Sequence, residues 1–354
     1  MNPWLRLCFL LIAMSLLGWV ILAKHVSLPT FVTGPRAPRP DFVWGASIIP
    51  YPTGPHVPAT LTEVMNRAML LGLRVVRTEI PPGLKTNDEK FAYLDPIVDA
   101  AQKANINLDL IIHSKWAGED DDVFSQPNLE QLARDRATAV AKRYQGRVRY
   151  YQLGNEFPVV SLKPSWSGST PDAYDDAKYA ASITWLNAST KAIRAADPKA
   201  KIIVTANWLQ YGFFERAFHD KIDIDIIGWD WFDETHDVHN LEESGQPVDL
   251  IQRLAAFKKP IWFVEAGYSA STHSQTEQAD LDAAFLKDVS SNPVVKGALV
   301  GVLIDSVNVL GTKGEHDGII ALDYANPGLP TIGLPKPAFT RIQQLITEVS
   351  GPRQ

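Results

Sequence analysis

The sequence holds a single cysteine, Cys8, set in an apolar stretch near its start. Beyond it no thiol can form a disulfide, ligate a metal or act as a nucleophile, so an oxidising compartment is permitted but not required. Basic charge is also short: 34 Lys and Arg against 40 Asp and Glu leave a formal charge of -6. That removes the electrostatic case for nucleic acid. No Gly-rich phosphate loop follows the first two apolar runs, which disfavours a nucleotide-binding open sheet. Ser269, Ser271 and Ser274 sit in no Gly-x-Ser-x-Gly elbow, which disfavours a serine hydrolase. The acidic run 119–122 lacks the spacing of a calcium loop, and His236 and His239 lie on no His-Glu-x-x-His helix. Neither a metal nor a cofactor is expected. No repeat of 20–50 residues is present.

Uninterrupted apolar sequence occurs once, at 7–23, after Arg6 and before Lys24 and His25. It is long for the core of a signal peptide and at the short limit for a membrane span. Residues 1–23 are therefore a signal peptide or an N-terminal membrane anchor. Either sends the rest of the chain out of the cytosol, to the periplasm or beyond, tethered if the segment is kept. Residues 24–40 carry Pro29, Gly34, Pro35, Pro38 and Pro40. Proline at that density blocks helix and sheet pairing and reads as a tether.

From 41 to 354 short apolar runs alternate with amphipathic stretches. Runs at 42–48, 74–78, 108–113, 148–154, 201–206, 222–229, 261–265 and 298–304 are apolar on both faces, as strands of a covered parallel sheet should be. Helices fit between them. Thr60 and Glu63 have the spacing of a capping box, Asn128 is a cap candidate, and Thr170-Pro171 opens a long helix to about 196. Eight strands alternating with helices predict a (β/α)8 TIM barrel, monomeric, behind the N-terminal hydrophobic segment.

Catalytic groups of such a barrel gather at the C-terminal ends of its strands. Those ends carry Arg77, His113, Asn155 and Glu156, Trp229 and Trp231, Glu265 and Tyr268. Glu156 and Glu265 would stand on strands four and seven, nearly opposite each other. A strand-end glutamate alone is as well explained by a rim salt bridge. Two facing each other are the minimum equipment for cleaving a glycosidic bond, by retention at a separation of ~5–5.5 Å or inversion at ~6.5–9.5 Å. Ten tryptophans fit either a large core or stacking on sugar rings.

Gly154-Asn155-Glu156 and Val264-Glu265-Ala266-Gly267-Tyr268 resemble the signatures of retaining glycoside hydrolases of clan A. Segments 170–204, 275–279 and 335–339 are similar to the clan's elements around those motifs, and the resemblance covers about 41–350. Its flavour is family 39-like, including membrane-associated exopolysaccharide hydrolases, or family 5-like. The resemblance implies Glu156 as acid/base and Glu265 as nucleophile. It implies Asn155 on the sugar 2-hydroxyl, Arg77 holding Glu265 ionised, and His113 on the non-reducing side. Two departures stand out. The His-x-Tyr common on strand six is here Trp229-Asp230-Trp231, where an indole N–H would have to replace the tyrosine hydroxyl. Strand eight lacks its usual Trp at 302–306. The expectation is a retaining hydrolase of a β-linked oligo- or polysaccharide, with Trp229, Trp231 and Tyr268 contacting the sugar. A transglycosidase would use the same residues. A carbohydrate-binding or polysaccharide-assembly protein without catalysis is the reading from another class.

Overall fold

The computed structural model describes residues 38–48, 58–81, 84, 86–112, 124–232, 237–306, 316–323 and 331–351. The apolar run 7–23 and most of the proline-rich stretch lie outside them. Among the described residues no helix is long and apolar enough to cross a membrane.

Eight parallel strands close into a barrel: β1 (Val43–Ser47), β2 (Val75–Glu79), β3 (Asn107–Ile111), β4 (Tyr150–Gln152), β5 (Lys201–Asn207), β6 (Ile226–Phe232), and then β9 (Ile261–Gly267) and β10 (Val295–Val300). A small antiparallel hairpin, β7 (Leu241–Glu243) with β8 (Gln246–Val248), is inserted after β6. A second, β11 (Ile320–Asp323) with β12 (Thr331–Pro335), follows β10. Helices return the chain between strands: α1 (Pro58–Leu71), α2 (Asn87–Lys103), α3 (Leu129–Arg143), α4 (Asp176–Ala196), α5 (Tyr211–His219), α6 (Leu250–Ala255), α7 (Gln275–Ser291) and α8 (Pro337–Ser350).

Side chains alternate across each strand, and the two faces pack into separate cores. Outward residues such as Trp44, Val76, Leu108, Tyr151, Val204, Ile227 and Phe263 pack under the helices. Inward ones, Val75, Tyr150, Ile203, Ile226, Trp262, Val264 and Leu299, fill the barrel interior. Gly228 is the inward residue between Ile226 and Asp230. A Cβ there would meet Thr205 Cγ2 at 2.6 Å, so glycine lets neighbouring strands fill the narrow lumen.

Local chemistry moves several boundaries. The Thr60/Glu63 pair lies inside α1, which already starts at Pro58. The capping boxes are instead Thr86 with Glu89 on α2 and Ser274 with Glu277 on α7. Asn128 precedes α3 without a side-chain cap bond. The helix expected from Pro171 is only a 3-10 turn over Pro171–Ala173, and α4 starts afresh where Asp175 accepts from the Lys178 N–H at 3.0 Å.

The chain joins the barrel through Arg39, inside the proline-rich stretch. Its guanidinium donates to the carbonyls of Ser290, Asn292 and Val295 at 2.8, 2.9 and 2.7 Å. It thereby bonds carbonyls at the end of α7 and at the start of β10, and a cation at the helix end also suits the helix dipole. Arg39→Ala should cost about 1–3 kcal/mol. The check is a lower urea midpoint at unchanged slope; an unmoved midpoint would show that the three bonds add nothing.

Candidate active site

Above the apolar floor the lumen turns polar. Ser47, Arg77, Asp109, Gln152, Thr205 and Asp230 occupy inward positions and are all buried. Arg77 is their hub. Its Nε donates to Gln152 Oε1 at 2.8 Å, its Nη1 to Ser47 Oγ at 3.2 Å and to Glu265 Oε1, and its Nη2 to Asn155 Oδ1 at 2.5 Å. One guanidinium therefore ties strand seven of the barrel to the residue beside Glu156. Arg77 is 3% exposed and Glu265 18%, so the pair is sheltered while the carboxylate reaches the mouth. Burial works against the Arg77 charge, but Glu265, Asp230 and Asp109 outweigh it and hold the proton more firmly than usual.

The Gly-Asn-Glu turn is shaped by its backbone. Gly154 has φ +102, and a Cβ there would strike the Phe157 ring at 2.5 Å. Glu156 takes the left-handed region at φ 44, uncommon for a side chain of its size and most often seen where function constrains the chain. Its N–H is held by Thr205 Oγ1 at 2.9 Å. Gln152 Nε2 donates to the Gly154 carbonyl at 2.8 Å and to Asn155 Oδ1 at 3.3 Å. The turn is thus fastened from β4 and β5.

Asp230 pairs across the strands with Glu265. It is 1% exposed, and neither carboxylate oxygen has a hydrogen-bond partner. Burial first, then the charge of Glu265 and more weakly that of Glu156, push its pKa well up, against the pull of Arg77. Both glutamates are therefore near enough to act on one buried acid. Asp109 faces the lumen between Leu108 and Leu110 and is likewise without a partner. Burial pushes it up to about 7, against the pull of Arg77.

This arrangement, buried acids around one arginine with two glutamates at the strand ends, coincides with sequence kinship. Residues 114–320 match the profile of glycosyl hydrolase family 53. The chain belongs to that family. It is accordingly a retaining glycoside hydrolase of clan A, and the match falls on family 53 rather than specifically on families 39 or 5. No curated protein matches the chain. The fold is similar to that of a family 1 β-glucosidase from Thermotoga maritima, at 12% identity and TM-score 0.66, covering 90% of this chain and 100% of that one. The Thermotoga maritima β-glucosidase in complex with glucoimidazole gives 13% identity and TM-score 0.64, covering 88% and 99%.

In this family 53 hydrolase, Arg77 brings together Asn155 and Glu265, with Glu156 next in the chain. Two expectations are corrected. Trp229 and Trp231 face outward into the core beneath the helices, Trp229 against Phe214 and Trp231 against Trp208. With Ile226 inward, the two-residue period turns Asp230, not either indole, toward Glu265. Neither indole, including Trp231 at the tyrosine's place in the motif, therefore faces Glu265 to replace the tyrosine hydroxyl. Tyr268 lies just past β9; its N–H donates to Asp282 Oδ1 at 2.9 Å and its ring meets His273 edge-on. His113 lies outside the described residues, as do the acidic run 119–122 and His236. His239 bridges Asp249 at 2.9 Å and Asp288 at 3.0 Å. The bond to Asp288 leads in pushing its pKa up to about 9, so it ties the hairpin region to α7 as a cation. Asp305, five residues past β10, is taken up by Lys336 Nζ at 2.7 Å. Among the described residues no three His, Cys, Asp or Glu side chains converge to hold a metal ion.

Asp109 carries a pH signature. An acid with pKa about 7 when folded and about 3.9 when unfolded binds its proton more tightly in the native state. Stability therefore falls as pH rises from about 4 to 7 and is level above. Asp109→Asn should match wild type near pH 4 and become more stable than it toward pH 8, by on the order of a few kcal/mol. Parallel stability profiles for the two proteins would contradict this.

Proposed function

We propose that the chain hydrolyses β-glycosidic bonds of a polysaccharide by double displacement, with Glu265 as nucleophile and Glu156 as acid/base. The observation that carries this reading is the single Arg77 guanidinium bonded to both Glu265 and Asn155. The cation lies directly against the carboxylate that would attack. Asn155 Oδ1 already accepts from Arg77 and Gln152, so its amide nitrogen is the group available to donate to the sugar 2-hydroxyl. That bond strengthens as the ring approaches the oxocarbenium state.

In the first step Glu156 gives its proton to the glycosidic oxygen while a Glu265 oxygen attacks the anomeric carbon. The C–O bond to the leaving sugar breaks and a glycosyl ester forms. In the second, ionised Glu156 takes a proton from water, whose oxygen displaces Glu265. The β linkage is supported by the β-glucosidases that share the fold. Export is supported by the apolar run 7–23 behind Arg6, and the proline-rich stretch after it fits a tether to a membrane.

Glu265→Ala should lower turnover of every substrate by at least about 10⁴-fold. Glu156→Ala should lose most polysaccharide hydrolysis yet retain activity on aryl glycosides with good leaving groups, and azide should accelerate it by replacing the water that needs a base. Aryl and polysaccharide rates falling together, without azide rescue, would remove Glu156 from the acid/base role.

A further inference from the structure

Past the ends of β4 and β5 and against the hairpin after β6 lies a concavity that the chemistry above does not use. It has a volume of about 420 Å³ and is walled by three loops: Pro164–Ser167 after β4, Trp208 and Leu209 after β5, and Glu242–Ser244 in the β7–β8 hairpin. Pockets of roughly 300–1,000 Å³ take small ligands. Each loop carries one residue in the left-handed region, Ser165 at φ 66, Trp208 at φ 46 and Ser244 at φ 51, a conformation that L side chains seldom adopt.

The two indoles are held in different ways. Trp208 stacks on Trp231 with centroids 6.1 Å apart and planes at 19°. Trp166 is half exposed. The Lys163 ammonium lies 5.5 Å from its ring centroid and is itself fixed by the Asp172 carbonyl at 2.7 Å. Around them stand hydroxyls of Ser165, Ser167 and Ser244 and the carboxylates of Glu242 and Glu243, the latter accepting from Tyr211 Oη. Flat apolar faces beside oxygen acceptors suit a pyranose, which has an apolar face and a rim of hydroxyl donors. The lining carries two carboxylates against the one ammonium of Lys163 at its edge, which is already bonded to the Asp172 carbonyl, so the balance of charge disfavours phosphate or a uronic acid. The cleft also adjoins the site: Trp208 follows Asn207, whose Cα pairs with Asp230, and Asp230 pairs with Glu265.

We propose that this cleft is a second sugar subsite, holding an uncharged pyranose of the same glycan chain remote from the bond that is cut. The inference rests on the glycosidase reading and deepens it. It makes the substrate a neutral oligo- or polysaccharide held at more than one point, with part of the binding energy gained away from the reacting centre.

The probes are β-linked gluco-, galacto- and manno-oligosaccharides of two to six units and the matching p-nitrophenyl monoglycosides. In Trp166→Ala, the ratio of kcat/KM for the hexamer to that for the monoglycoside should fall roughly tenfold, as for a stacked interfacial tryptophan. Hexamer affinity, titrated calorimetrically on Glu265→Gln, should fall by a similar factor when Trp166→Ala is added. An unchanged ratio and affinity, or tighter binding of glucuronate-containing hexamers, would overturn the proposal. Should wild type cut none of the probes while hexamer binding still depends on Trp166, the hydrolytic reading fails and the subsite stands. Should no hexamer bind, the subsite falls.

Discussion

The ion pair between Arg77 and Glu265 is the constraint on which the rest of the site depends. A guanidinium buried in a barrel lumen is costly unless its charge is met. Here Glu265 meets it with a carboxylate that still reaches the mouth. Three further donors of Arg77 are spent on Gln152, Ser47 and Asn155, so four of its five N–H groups are hydrogen-bonded. Asp109 and Asp230 lie near the same cation but are buried without partners, and their raised pKa values mark them as acids that ionise reluctantly. Glu265, hydrogen-bonded to the guanidinium, is therefore left as the principal counter-charge of Arg77.

The fold serves this pair by layering. An apolar floor of Val75, Tyr150, Ile203, Ile226, Trp262, Val264 and Leu299 seals the lumen from below. The polar layer sits directly above it, where the strands end and the loops begin. The outer core of aromatic and aliphatic side chains holds the helices against the barrel wall. Loops after β4, β5 and β6 then build outward from fixed points, each turned by a left-handed residue. The cleft between Trp166 and Trp208 is thus an extension of the strands that carry the chemistry.

Much of this was legible in the sequence. The alternation of apolar runs and amphipathic stretches revealed the barrel, because a parallel sheet covered on both faces demands it. Glu156 and Glu265 stood out as charges at the ends of buried runs, and Arg77 likewise. Less legible was the facing of β6. Aromatic residues at a strand end suggested sugar stacking, yet Trp229 and Trp231 are wall residues and Asp230 between them points inward. The signal was present in the alternation Ile226, Gly228, Asp230 on one face and Ile227, Trp229, Trp231 on the other. What it lacked was a fixed point to say which face was inside. Asp109 was hidden in the same way between Leu108 and Leu110. Helix starts shifted where a nearby acid such as Asp175 capped better than Thr170, a competition that spacing alone does not decide.

The most direct test of the account is covalent trapping. The protein would be inactivated with 2-deoxy-2-fluoro-β-glycosides bearing a dinitrophenolate leaving group, then digested and mapped by mass spectrometry. The account predicts one glycosyl adduct, an ester on Glu265, whose yield collapses in Arg77→Met because the carboxylate loses its counter-charge. An adduct on Asp230 or Glu156, or full turnover with no adduct and an inverted anomeric product, would contradict it.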